Sequence, residues 1–500
     1  MIAVMEKLSS IVWGLPTLLL IVCVGLYFTL RSGVFQIAAF PKAFISFLKK
    51  LKPSSNTTNG VSAYQALCTA LAATVGTGNI VGVAGAISIG GPGAIFWMWI
   101  CALLGMILKC AEATLAVRFK TKNSQGETIG GPMYMIENGM DRSWRWLACL
   151  YAFFGVVAAF GVGNATQINA VLGGIHGAAA GFGVSWSAYV DYAIAAVLAI
   201  LVALMLSGGA RRIGKIAEAL VPYASAVYIL LGLGVLVVKS SAIPNAFGLI
   251  FSGAFSPKAV TGGVIGSLFV ACKTGAARGV FTNEAGMGTA SIAHAAADVS
   301  HPVEQGLMGI MEVFLDTIVI CTVTALVILC SGIAVPYGVD CGGWLTSAAF
   351  SMVYGNWASI VIALALACFA LATVLGWGYY GLRCAQYLFG EGVWKPFVVM
   401  QVVTVLLGAV LETGVVWTLA EIVNGLMVIP NLIALLGLSP EFLKLIYEYK
   451  NGIKNAVGGT YENLNQCKSM RTLSYAEIPS YGCSGSKGRK DHLSSEYRSA

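Results

Sequence analysis

Two long apolar stretches of this chain are each interrupted partway by a glycine-rich run, Gly76-Thr77-Gly78-Asn79 in the first and Asn283-Glu284-Ala285-Gly286-Met287-Gly288 in the second. Each run falls where hydrocarbon forbids exposed backbone. Lipid supplies no water for free amides and carbonyls, so unwound chain at that depth survives only inside protein or against a cavity with polar contents. Interrupted apolar segments in corresponding positions of two halves are the sequence mark of a secondary transporter's binding region.

Composition points the same way. Hydrophobic residues make up 57% of the 500 and charged residues 10%, against roughly a quarter charged in soluble domains. The chain is therefore expected to be a polytopic, all-α membrane protein in contact with the lipid bilayer. Its net charge of +8 does not imply a nucleic-acid partner, because Lys and Arg concentrate in short inter-helix loops and the tail, where they encode topology. Thirteen cysteines without a CxxC pair read as small core residues rather than a disulfide or metal framework. Four histidines are too dispersed for a metal or haem centre. HExxH and GxSxG are missing and no histidine is expected among the central polar residues, which argues against an enzyme. A channel would need a continuous polar path, whereas the polar residues cluster at mid-depth.

Apolar runs long enough to cross about 30 Å of hydrocarbon occupy 11–30, 60–90, 93–119, 145–174, 185–206, 212–238, 262–300, 306–331, 356–388, 394–411 and 415–437, about eleven segments, numbered below in that order. The first is too long for a signal peptide, lacks an Ala-x-Ala site and precedes Arg31, so a retained span is expected. Basic residues gather after the first, third and fifth segments (Lys49 and Lys50; Arg118, Lys120 and Arg142; Arg211, Arg212 and Lys215). The positive-inside rule makes those loops cytoplasmic, with the N-terminus outside and the C-terminus inside. The loop 239–260 departs from this, carrying Lys239 and Lys258 outside, with Ile243 to Phe255 as an interfacial helix.

Without the first segment, ten remain in two blocks of five, each opening on an interrupted segment, and an odd number per block inverts the second relative to the first. The expected divisions are an extra N-terminal helix with a basic linker (1–59), a first repeat (60–238), an extracellular interfacial piece (239–261), a second repeat (262–437) and a polar cytoplasmic tail (438–500).

The candidate site residues lie at or near the interruptions. In the second segment, amides opening the second half-helix suit a carboxylate, and carbonyls closing the first, around Thr74 and Gly76, suit a cation. Gly78-xxx-Gly82 can equally be a packing motif. In the seventh segment, Asn283 and Glu284 form a polar pair at the break; Glu284 fixes the unwound chain or faces the cation, or else pairs with Arg278 or Lys273 on its own helix. In the fourth, Asn164, Thr166, Gln167 and Asn169 form a polar set; Gln167 both donates and accepts, suiting a zwitterionic headgroup, while interhelical bonding is the plain alternative. In the ninth, Thr373 and Trp377 share a face. The Thr373 hydroxyl suits Na⁺, or bonds its own helix one turn back, and the Trp377 ring closes over a ligand or packs. Asp316, one turn after Glu312 in the eighth, is a second cation ligand, a proton carrier or, foremost, the counter-charge of Arg278.

Gly90-Gly91-Pro92-Gly93-Ala94-Ile95-Phe96-Trp97-Met98-Trp99-Ile100 running on to Gly105 resembles the signature of the alanine or glycine:cation symporter family. The 76–79 interruption, Gly130-Gly131-Pro132-Met133-Tyr134, Gly163-Asn164 with Gln167, Arg278 through Gly288, and Gly376-Trp377-Gly378-Tyr379-Tyr380-Gly381 are similar as well, so the likeness runs from about residue 10 to 440. The resemblance implies a leucine-transporter-like 5+5 inverted repeat plus one extra N-terminal helix. It also implies Na⁺-coupled symport of a small neutral amino acid, alanine or glycine, at a prokaryotic cell (inner) membrane. It places the substrate against Gly76, Thr77, Gly78, Asn79, Gln167, Ala285, Gly286, Met287 and Trp377, with Thr373 on the sodium ion. The competing reading is a proton-coupled transporter of another small solute, using Asp316 or Glu284.

Overall fold

An apolar run of about 20 residues must pair every backbone group within itself, and the α-helix is the element that does so. The computed structural model describes residues 2–50, 61–185, 188–255, 268–339, 342–411 and 413–458. Among the described residues, nine helices are long and apolar enough to cross a bilayer: Lys7–Arg31, Gly93–Arg118, Arg142–Gly181, Tyr189–Leu206, Arg212–Val238, Pro302–Ser331, Trp357–Phe389, Glu391–Val410 and Gly414–Gly437. They coincide with nine of the predicted segments. The second and seventh segments are the two interrupted ones. Ala63–Thr74 and Val81–Gly90 flank the first interruption, and Leu268–Asn283 and Thr289–His294 the second.

Two spans are irregular in a way that periodicity did not foretell. Gly161–Ala165 in the fourth segment and Phe314–Cys321 in the eighth are π-helical, a widened turn common at functional sites. The first ends two residues before Gln167 and the second contains Asp316.

Packing brings the interrupted segments to the centre. The third segment lies against the seventh and eighth, and the ninth against the fourth, second and sixth. Small residues at the crossings permit the approach. A Cβ on Gly163 would fall 2.1 Å from the Cβ of Trp377, one on Gly376 2.7 Å from the amide nitrogen of Ala73, and one on Gly309 2.9 Å from the carbonyl oxygen of Lys109.

Peripheral elements complete the chain. Ile243–Phe255 is a helix, as expected, and its Gly253 meets Gly93 closely enough that a side chain on Gly93 would strike backbone at 2.2 Å. Shorter helices occur at Phe40–Lys50, Pro132–Gly139 and Gly342–Tyr354, and Thr121–Lys122 pairs antiparallel with Thr128–Ile129. Ser439–Gly458 forms a helix within the segment expected to be a polar tail. Residues 459–500 of that expected tail, and Lys258, lie outside the described residues.

Gly376→Ala should destabilise the purified protein in detergent by about 1–3 kcal/mol, the usual cost of overpacking, because the added methyl meets backbone rather than a side chain that can rotate. Gly173→Ala, with nothing within 4 Å, should leave stability unchanged within about 0.5 kcal/mol or raise it. Thermal unfolding of the two variants compares them; equal melting temperatures would show that the second and ninth segments do not meet this closely.

Candidate functional site

Helix Ala63–Thr74 stops because Val75 and Gly76 turn extended (φ −75°, ψ 91°; φ −137°, ψ −156°) before one tight turn over Thr77–Asn79 restarts the chain. Asn79 secures the bend from both ends of its amide. Its Oδ1 accepts from the Gly76 amide at 2.9 Å, and its Nδ2 donates to Oδ1 of Asp316 at 2.6 Å and to the Asp316 carbonyl at 3.2 Å.

Three other segments reach this bend. The Thr77 hydroxyl donates to Oε1 of Gln167 at 2.9 Å, and Gln167 Nε2 donates to the Val162 carbonyl at 3.1 Å, so the π turn orients the amide. From the ninth segment, Thr373 Oγ1 faces Gly76 so closely that a Cβ there would lie 2.4 Å from it and 3.6 Å from Gln167 Oε1. The glycine is required by this approach and not by its dihedral angles. Thr373 Oγ1 is buried with no hydrogen-bond partner, so it does not bond its own helix one turn back. Phe281 and Thr282 of the seventh segment close the Gly78 side, each 3.4 Å from where a side chain would begin.

The second interruption is built on positive dihedral angles: Glu284 (φ 56°), Gly286 (φ 88°) and Gly288 (φ 79°). Such a conformation costs a non-glycine residue energy, and here it is held by side chains. Oε1 of Glu112 accepts from the amides of Gly286 at 2.9 Å and Gly288 at 3.2 Å and from Nδ2 of Asn431 at 2.8 Å, while Asn431 Nδ2 also donates to the Gly286 carbonyl at 2.9 Å. Asn283 Oδ1 accepts from the Ala285 amide at 3.0 Å, and Glu284 Oε2 accepts from the Thr289 hydroxyl. The amides of Gly286 and Gly288 are thus taken by protein.

The two interruptions are joined through the eighth segment. Asn283 Nδ2 donates to Thr317 Oγ1 at 3.1 Å, Thr317 Oγ1 to Asp316 Oδ2 at 2.8 Å, and Asn79 Nδ2 to Asp316 Oδ1. Four side chains therefore connect Gly76 to Ala285.

Of the predicted site residues, Gly76, Thr77, Gln167 and Thr373 come together directly, with Gly78 and Asn79 on the same bend. Ala285, Gly286 and Met287 sit on the other interruption, where Ala285 packs on Gly105 and Gly286 lies near Leu108 and Leu432. Trp377 is buried against Gly163. Some expectations are corrected. Arg278 is not the partner of Asp316 or Glu284: it pairs with Glu421 at 3.2 Å beneath the Trp417 ring, because its helix face turns to the eleventh segment. Asn164 bonds to Gln401 of the tenth segment, and the Thr74 hydroxyl bonds the Ala70 carbonyl one turn back at 3.2 Å, leaving only its main chain toward the bend. A histidine does join the buried polar residues, since His294 Nε2 meets Glu312 Oε2 at 2.8 Å, with Lys109 Nζ 3.3 Å from Glu312 Oε1.

Lys109, Glu112, His294 and Asn431 were not foreseen. Lys109 and Glu112, one turn apart within the otherwise apolar third segment, gave a signal, since ionisable residues in a span are functional candidates by default. Asn431 gave none beyond its polarity.

The sodium:alanine symporter family profile matches residues 1–462. The chain is 43% identical over 464 residues to the sodium/alanine symporter AgcS of Methanococcus maripaludis, covering 91% of this chain and 99% of that one. It is 36% identical to the amino-acid carrier protein AlsT of Bacillus subtilis, covering 91% and 94%. Among solved structures, MhsT in complex with L-phenylalanine shares the fold at a TM-score of 0.53 and 14% identity, over 77% of this chain and 97% of that one. With two interrupted helices meeting at a buried polar centre and a match over nearly its whole length, this chain belongs to the sodium:alanine symporter family and is a multi-pass, cation-coupled amino-acid symporter, not an enzyme.

Proposed function

We propose that the chain carries out sodium-coupled uptake of a small neutral amino acid, alanine or glycine, by alternating access, with its N-terminus outside and its C-terminus in the cytoplasm. The observation that carries this reading is the Thr373 hydroxyl, buried, without a partner and aimed at the Gly76 bend. A buried hydroxyl left unbonded costs about 1–3 kcal/mol, and a hard monovalent cation bound by oxygen removes that cost. The Thr74 carbonyl at the closing end of the first half-helix, where intrahelical donors run out, and the Gly76 carbonyl, which also accepts from the Asn79 amide at 3.3 Å, supply the remaining oxygens.

The amino acid lies on the same bend. Its carboxylate faces the amide end of the Thr77–Asn79 turn and the sodium ion, and its ammonium faces Gln167 Oε1, an acceptor already turned toward the bend by Thr77. The close approaches of Thr373 to Gly76 and of Trp377 to Gly163 leave little room for a large side chain, which favours a small amino acid. A small substrate agrees with the Methanococcus relative, which is named a sodium/alanine symporter. Ala285, Gly286 and Met287 act as the wall opposite, and Asn79, Asn283, Glu284 and Asp316 hold the bends in register.

Labelled alanine or glycine in proteoliposomes should accumulate against its gradient when Na⁺ is imposed outside and should equilibrate when choline replaces it. An inside-negative potential should raise the accumulation about fiftyfold per 100 mV for each net charge moved, the equivalent of about 2.3 kcal/mol. Accumulation that follows a pH gradient and ignores sodium would overturn the coupling in favour of a proton carried by Asp316 or Glu284.

Thr373→Ala should raise the half-saturating sodium concentration about tenfold or more, about 1.4 kcal/mol, with Thr373→Ser close to wild type. Gln167→Ala should act mainly on the half-saturating amino-acid concentration. Sodium titrations of uptake at fixed alanine separate the two; unchanged sodium dependence in Thr373→Ala removes that hydroxyl from the ion site.

A further inference from the structure

Phe281, whose ring meets the Gly78 side of the bend, is held from behind. Its ring stacks on that of Trp417 in the eleventh segment, with centroids 5.4 Å apart and planes inclined by 30°. Arg278, on the same helix face as Phe281, places its guanidinium 5.7 Å from the Trp417 ring centroid and pairs with Oε1 of Glu421 at 3.2 Å. Each helix therefore offers the other one aromatic and one charged side chain. Arg278 and Phe281 precede the interruption on Leu268–Asn283, and Trp417 and Glu421 lie early in Gly414–Gly437. On the orientation proposed above, both places are on the extracellular side of the bend.

A second set of contacts falls on the same acid. The first segment, which falls outside the two blocks of five expected from the sequence, packs along the eleventh. Nε1 of Trp13 donates to the Glu421 carbonyl at 2.8 Å, and the Ser9 hydroxyl donates to Oε2 of Glu421 at 3.4 Å. Gly425 permits this approach, since a Cβ there would lie 2.3 Å from Val12 Cγ1 and 3.2 Å from Trp13 Nε1. Trp13 is buried in that notch at 3% exposure, and the break between helices Ile2–Val12 and Leu15–Arg31 falls beside it. One carboxylate oxygen of Glu421 thus serves Arg278 and the other Ser9, while Trp13 fixes the main chain between them.

We propose that Trp13 of the first segment is a positioning residue for symport: it sets Glu421 against Arg278 and so, through Trp417, keeps Phe281 down on the bend as its outer lid. This rests on the Gly76–Asn79 bend being the solute site proposed above. The lid parts between the seventh and eleventh segments rather than between the first and eleventh. Across the former lie one ring stack and one ion pair whose Glu421 is 27% exposed, and water weakens such a pair. Across the latter lies a buried indole seated in a glycine notch, with its N–H bonded to a carbonyl.

Labelling of Thr282→Cys in the full chain by a membrane-impermeant thiol reagent, added to intact cells, tests this. The mass of the peptide carrying residue 282 reports it, so the native cysteines do not interfere. Thr282 is 1% exposed and faces Gly78, and cysteine is close to it in size, so reagent from outside reaches it only when the lid lifts. Trp13→Phe, which keeps a ring but loses the donor, should raise the labelling rate about fivefold, the worth of one hydrogen bond. Glu421→Ala should raise it at least as much, and because Trp13 acts through Glu421 the two together should label no faster than Glu421→Ala alone. An unchanged rate in Trp13→Phe overturns the proposal, and an unchanged rate in Glu421→Ala, which leaves the Trp13 notch intact, overturns the lid contact itself. A double variant whose rate is the product of the two effects also overturns it, since Trp13 then only supports packing. Alanine with sodium should slow labelling in every variant; rates indifferent to both, with the Trp13→Phe effect present, overturn the bend as the solute site and leave the hold of the first segment on the lid standing.

Discussion

An unpaired amide or carbonyl in an apolar interior costs several kcal/mol, and the rest of this structure follows from how two interruptions meet that cost. The inverted repeat supplies both interruptions, but their chemistry has diverged. In the second segment the bend is clasped by the neutral side chain of Asn79, which takes the Gly76 amide and leaves Gln167 and Thr373 facing the main chain from two other helices. In the seventh, a carboxylate from a neighbouring span takes two successive amides. One carboxylate oxygen that accepts from both amides and from Asn431 makes the seventh bend a braced element.

The side chains of Asn79, Asp316, Thr317 and Asn283 give the two bends a shared boundary. Each contact is directional, and Asp316 accepts from both sides, so a shift of one bend changes the geometry offered to the other. The widened π turn at Phe314–Cys321 sets this in place by presenting the carboxylate of Asp316 and the hydroxyl of Thr317, adjacent in sequence, to different neighbours.

Much of this was legible beforehand, and the reasons differ by residue. Apolar runs and the glycine clusters at 76–79 and 286–288 report on lipid and backbone, which act locally, so segment positions and both bends emerged from the sequence. Gly376 and Gly163 could be seen as small residues but not assigned partners, since that depends on which helices touch. Pairing was the least legible property. Arg278 and Asp316 looked like natural partners in neighbouring segments, yet Arg278 turns to Glu421, far along the chain, while Asp316 finds two neutral donors. Glu112 and Asn431 were missed because nothing in the third or eleventh segment indicates that it passes the seventh bend; only the packed arrangement does.

Symport requires that cation and amino acid stabilise one arrangement together, since a ligand shifts an equilibrium only by its difference in affinity for the two states. The Gly76 bend supplies the means. Thr373 and Gln167 approach the same glycine from different helices, the ninth and the fourth, with a gap too small for a methyl group. On the placement proposed above, an ion seated on Thr373 would draw the ninth segment onto the second, and an ammonium on Gln167 would draw the fourth onto it. An amino-acid carboxylate shared with the ion would then let each ligand complete the other's coordination. Such coupling is reciprocal by thermodynamic necessity: to the extent that sodium tightens amino-acid binding, the amino acid tightens sodium binding, and neither alone closes all three helices around the bend.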